Sequence, residues 1–160
     1  MNREIIKSIT ILSLLVGAVF GLLSAIPYIG GIALFGYMFF TAPIVFVLLI
    51  MAGKADLTTP KDSIISGAVS GFFSNITFSF AYAVIVAILF LTIKYSSNYF
   101  LTAMIINSPV WLFIVVVVFV GVLSATTNAF SGFMTYYIIN FIRDIYEKKS
   151  QSKEGKNGKI

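Results

Sequence analysis

Three long stretches of this chain carry no charged residue: residues 8–53, 63–93 and 95–142. A water-soluble fold needs a charged exterior around its core, and segments of this length without Asp, Glu, Lys or Arg have no such face to offer. The solvent that accepts them is lipid. Composition points the same way, because 59% of the residues are hydrophobic, 11% are charged and the mean hydropathy is +0.99, more apolar surface than a soluble domain of 160 residues can hide.

A membrane-crossing helix needs roughly 20 apolar residues, and the uncharged stretches divide into four spans, residues 8–29, 32–52, 63–93 and 109–133. Arg3 and Lys7 ahead of the first apolar run imitate a signal peptide, but the run is span-sized and Leu23 suits a cleavage site poorly. Pro27, Gly30 and Gly31 predict a tight uncharged turn between spans one and two, and Pro43 predicts a kink within span two whose freed carbonyl a neighbour must satisfy. Thr59, Pro60 and Asp62 have the order of a helix start, with a capping hydroxyl, proline at the first helical position and an acid in the first turn. Residues 63–93 would reach about 46 Å as one helix, so span three must tilt, project beyond the hydrocarbon or break, with Asn75 and Thr77 the expected break point. Residues 94–108 read as an interfacial segment, Trp111 as an interface anchor for span four, and Tyr136, Tyr137 and Tyr146 as a second aromatic belt.

Basic residues collect on the cytoplasmic side of membrane proteins. Placing the N-terminus, the 53–62 loop and the tail on that side puts ten of the eleven Lys and Arg residues there and leaves Lys94 opposite. Splitting residues 98–142 into a hairpin would give five spans and carry the lysine-rich tail across the membrane. The expectation is therefore an all-α, polytopic protein of the cell membrane, with four transmembrane helices in two hairpins and both termini inside. Residues 1–146 form its single domain, and residues 147–160 a disordered, basic cytoplasmic tail.

An internal match at an offset of 50 sets residues 17–26 against residues 67–76, with six of ten positions identical, and suggests two parallel hairpins related by duplication. Small residues recur every fourth position, as Ser13, Gly17, Gly21 and Ala25 in span one and Ser63, Gly67 and Gly71 in span three, with Gly121 and Ala125 in span four. Such glycine-zipper faces let helix backbones approach closely. They serve either packing within the chain, with spans one and three joined through them, or a contact with a second copy or a partner's helix. Asn75, Thr77, Ser124, Thr127 and Asn128 form a polar group at membrane depth. Amides in hydrocarbon need partners, so the two asparagines bond each other or a backbone carbonyl, or the group lines a path for a small polar solute or ion.

The chain has no Cys and no His, and no charged residue lies inside a span. Thiol chemistry, imidazole ligands and intramembrane proton relays are thereby excluded. No nucleophile has a base beside it and no metal-ligand spacing occurs; Asp56 and Asp62 read as solvated charges, and an enzyme acting on lipid would need an acidic residue or histidine at the membrane face. No catalytic residue, metal or cofactor is expected. The net charge of +5 is topological information, with no basic groove for nucleic acid.

The layout resembles small four-span, glycine-zipper membrane families of archaea and bacteria. The resemblance rests on Gly17, Gly21, Pro27, Gly30 and Gly31, followed after a short basic loop by Gly67 and Gly71, and covers roughly residues 10–80. The Asn/Thr cluster of span four departs from it. It implies the fold and no residue roles. The expected function is a non-enzymatic membrane protein, its partners being the bilayer and either a second copy or another membrane protein through the glycine faces. The alternative is a transporter or channel using the polar group.

Overall fold

The computed structural model describes residues 3–26, 28–54, 59–95 and 99–157, so Pro27, Asp56 and residues 96–98 and 158–160 lie outside the described residues. The order is α1 (Arg3–Ser24), α2 (Gly30–Met51), α3 (Pro60–Ile93), α4 (Tyr99–Asn107) and α5 (Val110–Asn157). α1, α2, α3 and α5 are long and apolar enough to cross a membrane. The nine residues of α4 reach only about 14 Å, too short to cross. Residues 110–142 belong to one unbroken helix, so a fifth span does not form.

Local chemistry sets the helix ends, with one departure from expectation. Thr59 caps α3 as its sequence predicts: its hydroxyl accepts from the Asp62 amide at 3.1 Å and donates to the Asp62 carboxylate at 2.9 Å. At the other end Lys94 adopts the left-handed conformation, φ 54°, and its amide closes on the Phe90 carbonyl. Between α1 and α2 the left-handed residue is Tyr28, φ 70°, whereas Gly30 and Gly31 are already the first residues of α2. Gly30 is needed for space, since a Cβ there would strike the Ser24 carbonyl.

Two helices are longer than expected. α3 is continuous for 34 residues, about 51 Å, with no break at Asn75 or Thr77. Its polar side chains find acceptors across helix interfaces, Asn75 on the Val117 carbonyl and Thr77 on that of Leu14, so they do not draw the backbone out of its own ladder. α5 runs past residue 133 through the stretch expected to be a disordered tail, as far as Asn157. No proline follows Pro109, and the Ile, Lys, Glu and Gln content of residues 138–154 favours helix.

α3 occupies the centre, packing most extensively on α5 and α1. Gly17 and Gly21 of α1 sit on the α3 backbone at Ser74 and Phe78, so these two helices run parallel. Gly67 and Gly71 of α3 sit on the α5 backbone at Asn128 and Ser124, an antiparallel pair. Ile9 of α1 joins Ala42, Val45, Phe46 and Leu49 of α2 in a small apolar core. The outer surface is apolar as well: Ile32, Phe80, Val110 and Phe141 are each about two-thirds exposed or more, a surface stable against lipid and not against water.

The glycine faces of α1 and α3 do not meet each other. α3 presents two adjacent rows, Ser63, Gly67, Gly71 and Asn75 toward α5, and a second buried row, Ser66, Ser70, Ser74 and Phe78, whose upper end receives Gly17 and Gly21. The two matching ten-residue segments therefore stand in different environments. A helix enclosed on two sides needs two small-residue rows, while α1, at the periphery, needs one.

Candidate functional site

The site begins with a proline. Pro43 has no amide hydrogen, which leaves the Phe39 carbonyl without its helical donor and crowds the turn before it. α5 answers both defects from residues three apart. The Ser131 hydroxyl donates to the Phe39 carbonyl at 2.7 Å, and the Ala42 amide donates to Asn128 Oδ1 at 2.9 Å. An amide can only donate, so this contact fixes the orientation of the Asn128 side chain.

From Asn128 a directed chain of hydrogen bonds leads outward. Its Nδ2 donates to the Ser124 carbonyl at 3.0 Å and, more weakly, to Ser124 Oγ at 3.4 Å. Ser124 Oγ lies 3.0 Å from the Tyr37 hydroxyl, which lies 3.3 Å from Asn75 Oδ1. Asn75 Nδ2 donates to the Val117 carbonyl at 2.9 Å. A carbonyl only accepts, so Asn75 turns Oδ1 to Tyr37; Tyr37 must then donate to Asn75, and Ser124 must donate to Tyr37. Every member points its proton the same way, from the Ala42 amide to the Val117 carbonyl, an arrangement in which successive bonds polarise one another.

Tyr37 is the junction of the bundle. Its ring stacks on Phe78 of α3 with centroids 4.2 Å apart and tilts against Phe20 of α1 at 6.2 Å, while its hydroxyl joins α3 to α5. It lies seven residues into α2, about 10 Å below the start of that helix. Above it opens a cavity of about 500 Å³ with Tyr37, Asn75 and Ser124 in its lining. The walls are apolar and aromatic, from Leu34 and Met38 of α2, Phe78 and Tyr82 of α3, and Val116, Val117, Val120 and Leu123 of α5, completed by Met104 and Ile105 of α4. Ser24, Ser79 and Thr127 add hydroxyls. Among the described residues no charged side chain lines it. Such a cavity has the size and make-up of a small-molecule site, an apolar enclosure with a few convergent polar groups.

The five residues expected to form a polar path are not brought together. Asn75, Ser124 and Thr127 line the cavity. Thr77 is spent at the α1–α3 interface, donating to the Leu14 carbonyl at 2.7 Å, and Asn128 is fully buried below the cavity. The two asparagines do not bond each other; Ser124 and Tyr37 stand between them. Of the small-residue positions, Ser13, Gly17, Gly21, Ala25, Ser63, Gly67, Gly71 and Gly121 are buried and Ala125 is half-buried. A Cβ on Gly17, Gly21, Gly67 or Gly71 would collide with the backbone of a neighbouring helix in the same chain, and one on Gly121 would press on the Phe72 ring.

Tyr37, Ser131 and the Ser66, Ser70, Ser74 row escaped the sequence analysis. Signals for all three exist. A phenol four residues before Thr41 in an uncharged span needs a partner, the serines share the spacing of the glycines, and a hydroxyl is the obvious donor for a proline-freed carbonyl.

The fold and the cavity together define an all-helical architecture, with four helices long and apolar enough to cross a membrane and a partly open, uncharged pocket among the described residues. No protein-family model matches the chain, and no curated protein or solved structure matches it.

Proposed function

We propose that this is a non-enzymatic, multi-pass protein of the cell membrane, both termini cytoplasmic, that holds one small uncharged molecule in the cavity above Tyr37. The observation that carries this is the pairing of apolar walls with an uncharged polar floor in about 500 Å³. The distribution of basic residues supports the orientation, with the cavity toward the outer surface. Among the described residues the lining carries no carboxylate, lysine, arginine or histidine, which supports binding over acid–base catalysis.

Binding is favoured over assembly through the glycine faces, because the chain's own helices occupy those faces. It is favoured over conduction because the bundle closes below Tyr37, where Gly67 and Gly132 bring α3 and α5 into backbone contact and Asn128 is bonded on both sides. The test is native mass spectrometry of protein taken from its own membranes in mild detergent. Gly31 lines the cavity, and a Cβ there meets nothing within 4 Å, so Gly31→Trp adds bulk at the lining without a Cβ clash. A stoichiometric adduct on the wild type that Gly31→Trp lacks supports binding. A wild type without adduct, or an adduct indifferent to Gly31→Trp, overturns it.

A further inference from the structure

We infer that the cavity is loaded from the lipid phase, through a gap between the N-terminal parts of α2 and α5, and that its occupant is an uncharged lipid whose head carries a hydrogen-bond acceptor oxygen. This rests on the binding proposed above and names the ligand class and its route.

The route follows from where α2 and α5 are joined. Their ties run from Tyr37 with Ser124, through Ala42 with Asn128 and Phe39 with Ser131, to Phe46 beside Gly132. Outward of Tyr37 the two helices face each other across the cavity. Leu34 and Met38 of α2 and Val120 and Leu123 of α5 line the cavity and are 46%, 43%, 39% and 52% exposed. Lining residues of two facing helices that stay this accessible border an opening between them. These four are apolar, so the opening faces acyl chains, while α4 contributes Met104 and Ile105 to the lining.

The ligand class follows from the lining. A charged head would enter a lining with no counter-charge among the described residues, at a cost of several kcal/mol. The half-buried Ser79 hydroxyl in the lining is a donor within reach of the cavity, and an ester, ketone or alcohol oxygen can meet it. Tyr37, Phe78 and Tyr82 stack in succession beside the cavity, with interplanar angles of 17° and 3°, an apolar aromatic wall against which an acyl chain can lie.

The test uses full-length protein in phosphatidylcholine vesicles with three photoactivatable probes of equal chain length: a long-chain alcohol, the matching fatty acid and a phosphatidylcholine. The expected result is labelling by the alcohol concentrated in residues 31–38 and 116–127, saturable by unlabelled alcohol, and about tenfold lower in Gly31→Trp. Val120→Trp, at the opposite edge of the gap, should lower it as well. Labelling by all three probes alike, or label spread without saturation over lipid-facing sites such as Val19 and Phe119, marks ordinary annular lipid and overturns the inference. A native adduct that proves water-soluble, with no saturable vesicle labelling, overturns the lipid route and leaves the binding site standing. Absence of both adduct and labelling removes the two together.

Discussion

The two ends of this bundle solve the same problem in opposite ways. Below Tyr37 the gap left by the proline is closed by dedicated partners: the proline-freed Phe39 carbonyl has Ser131, the Ala42 amide has Asn128, and Gly67, Gly71 and Gly132 let backbones touch. Above Tyr37 the same helices separate around a cavity of about 500 Å³. In lipid the hydrophobic effect does not press helices together, so close packing must be built from small residues and hydrogen bonds. Where those are withheld the helices part. The contrast teaches that an open region in such a protein is specified by what its sequence leaves out.

The largest expected effect comes from forcing the closed end apart. Gly67→Val places side-chain atoms onto the Asn128 carbonyl, and because the obstacle is backbone it should cost more than about 3 kcal/mol, read as loss of the folded fraction in detergent-denaturation curves. Gly17→Val, against the Ser74 carbonyl, should do the same at the α1–α3 contact. A well-folded Gly67→Val protein would mean that α3 and α5 do not meet as described.

Next in size is Asn128→Leu, which strips the Ala42 amide of its acceptor in a fully buried place and should cost about 1–3 kcal/mol. Its effect should exceed that of Asn75→Leu, whose carbonyl partner lies within α5. Equal losses would mean the two asparagines work as one pair after all.

A smaller effect sharpens the role of the proline. Ser131→Ala should cost about 0.6 kcal/mol, the usual worth of such a bond between membrane helices. In a Pro43→Ala background the Phe39 carbonyl regains a backbone donor, and Ser131→Ala should then be close to neutral. A double-mutant cycle without coupling would sever the link drawn between these two residues. Smallest of all on stability is Gly31→Trp, expected within about 0.5 kcal/mol of wild type by the same denaturation curves.

Much of this architecture is legible in the residues themselves. The uncharged stretches mark the four long helices, Thr59 and Pro60 mark the start of α3, and Pro43 announces a need that a neighbour meets. What escapes is pairing across helices. Periodicity shows that Gly17 and Gly67 each want a close backbone but not whose, and their matching surroundings in sequence suggested each other where the structure supplies Ser74 and Asn128. The same holds for the polar group: Thr77 and Asn128 bond across helix interfaces, while Asn75, Ser124 and Thr127 line the cavity. The cavity was the least visible, since an empty space leaves no residue to read, and only its boundary at Tyr37 has a signature.

The absence of cysteine makes one measurement direct. Ser79→Cys places the only thiol in the cavity wall, and Ser74→Cys places it in the closed α1–α3 contact, five residues earlier in sequence. With each variant in vesicles and treated with N-ethylmaleimide, small and uncharged, Ser79→Cys should be modified and Ser74→Cys protected, with Gly31→Trp slowing the reaction at position 79. Protection at position 79 equal to that at position 74 would contradict an open, accessible end, and with it the account given for this bundle.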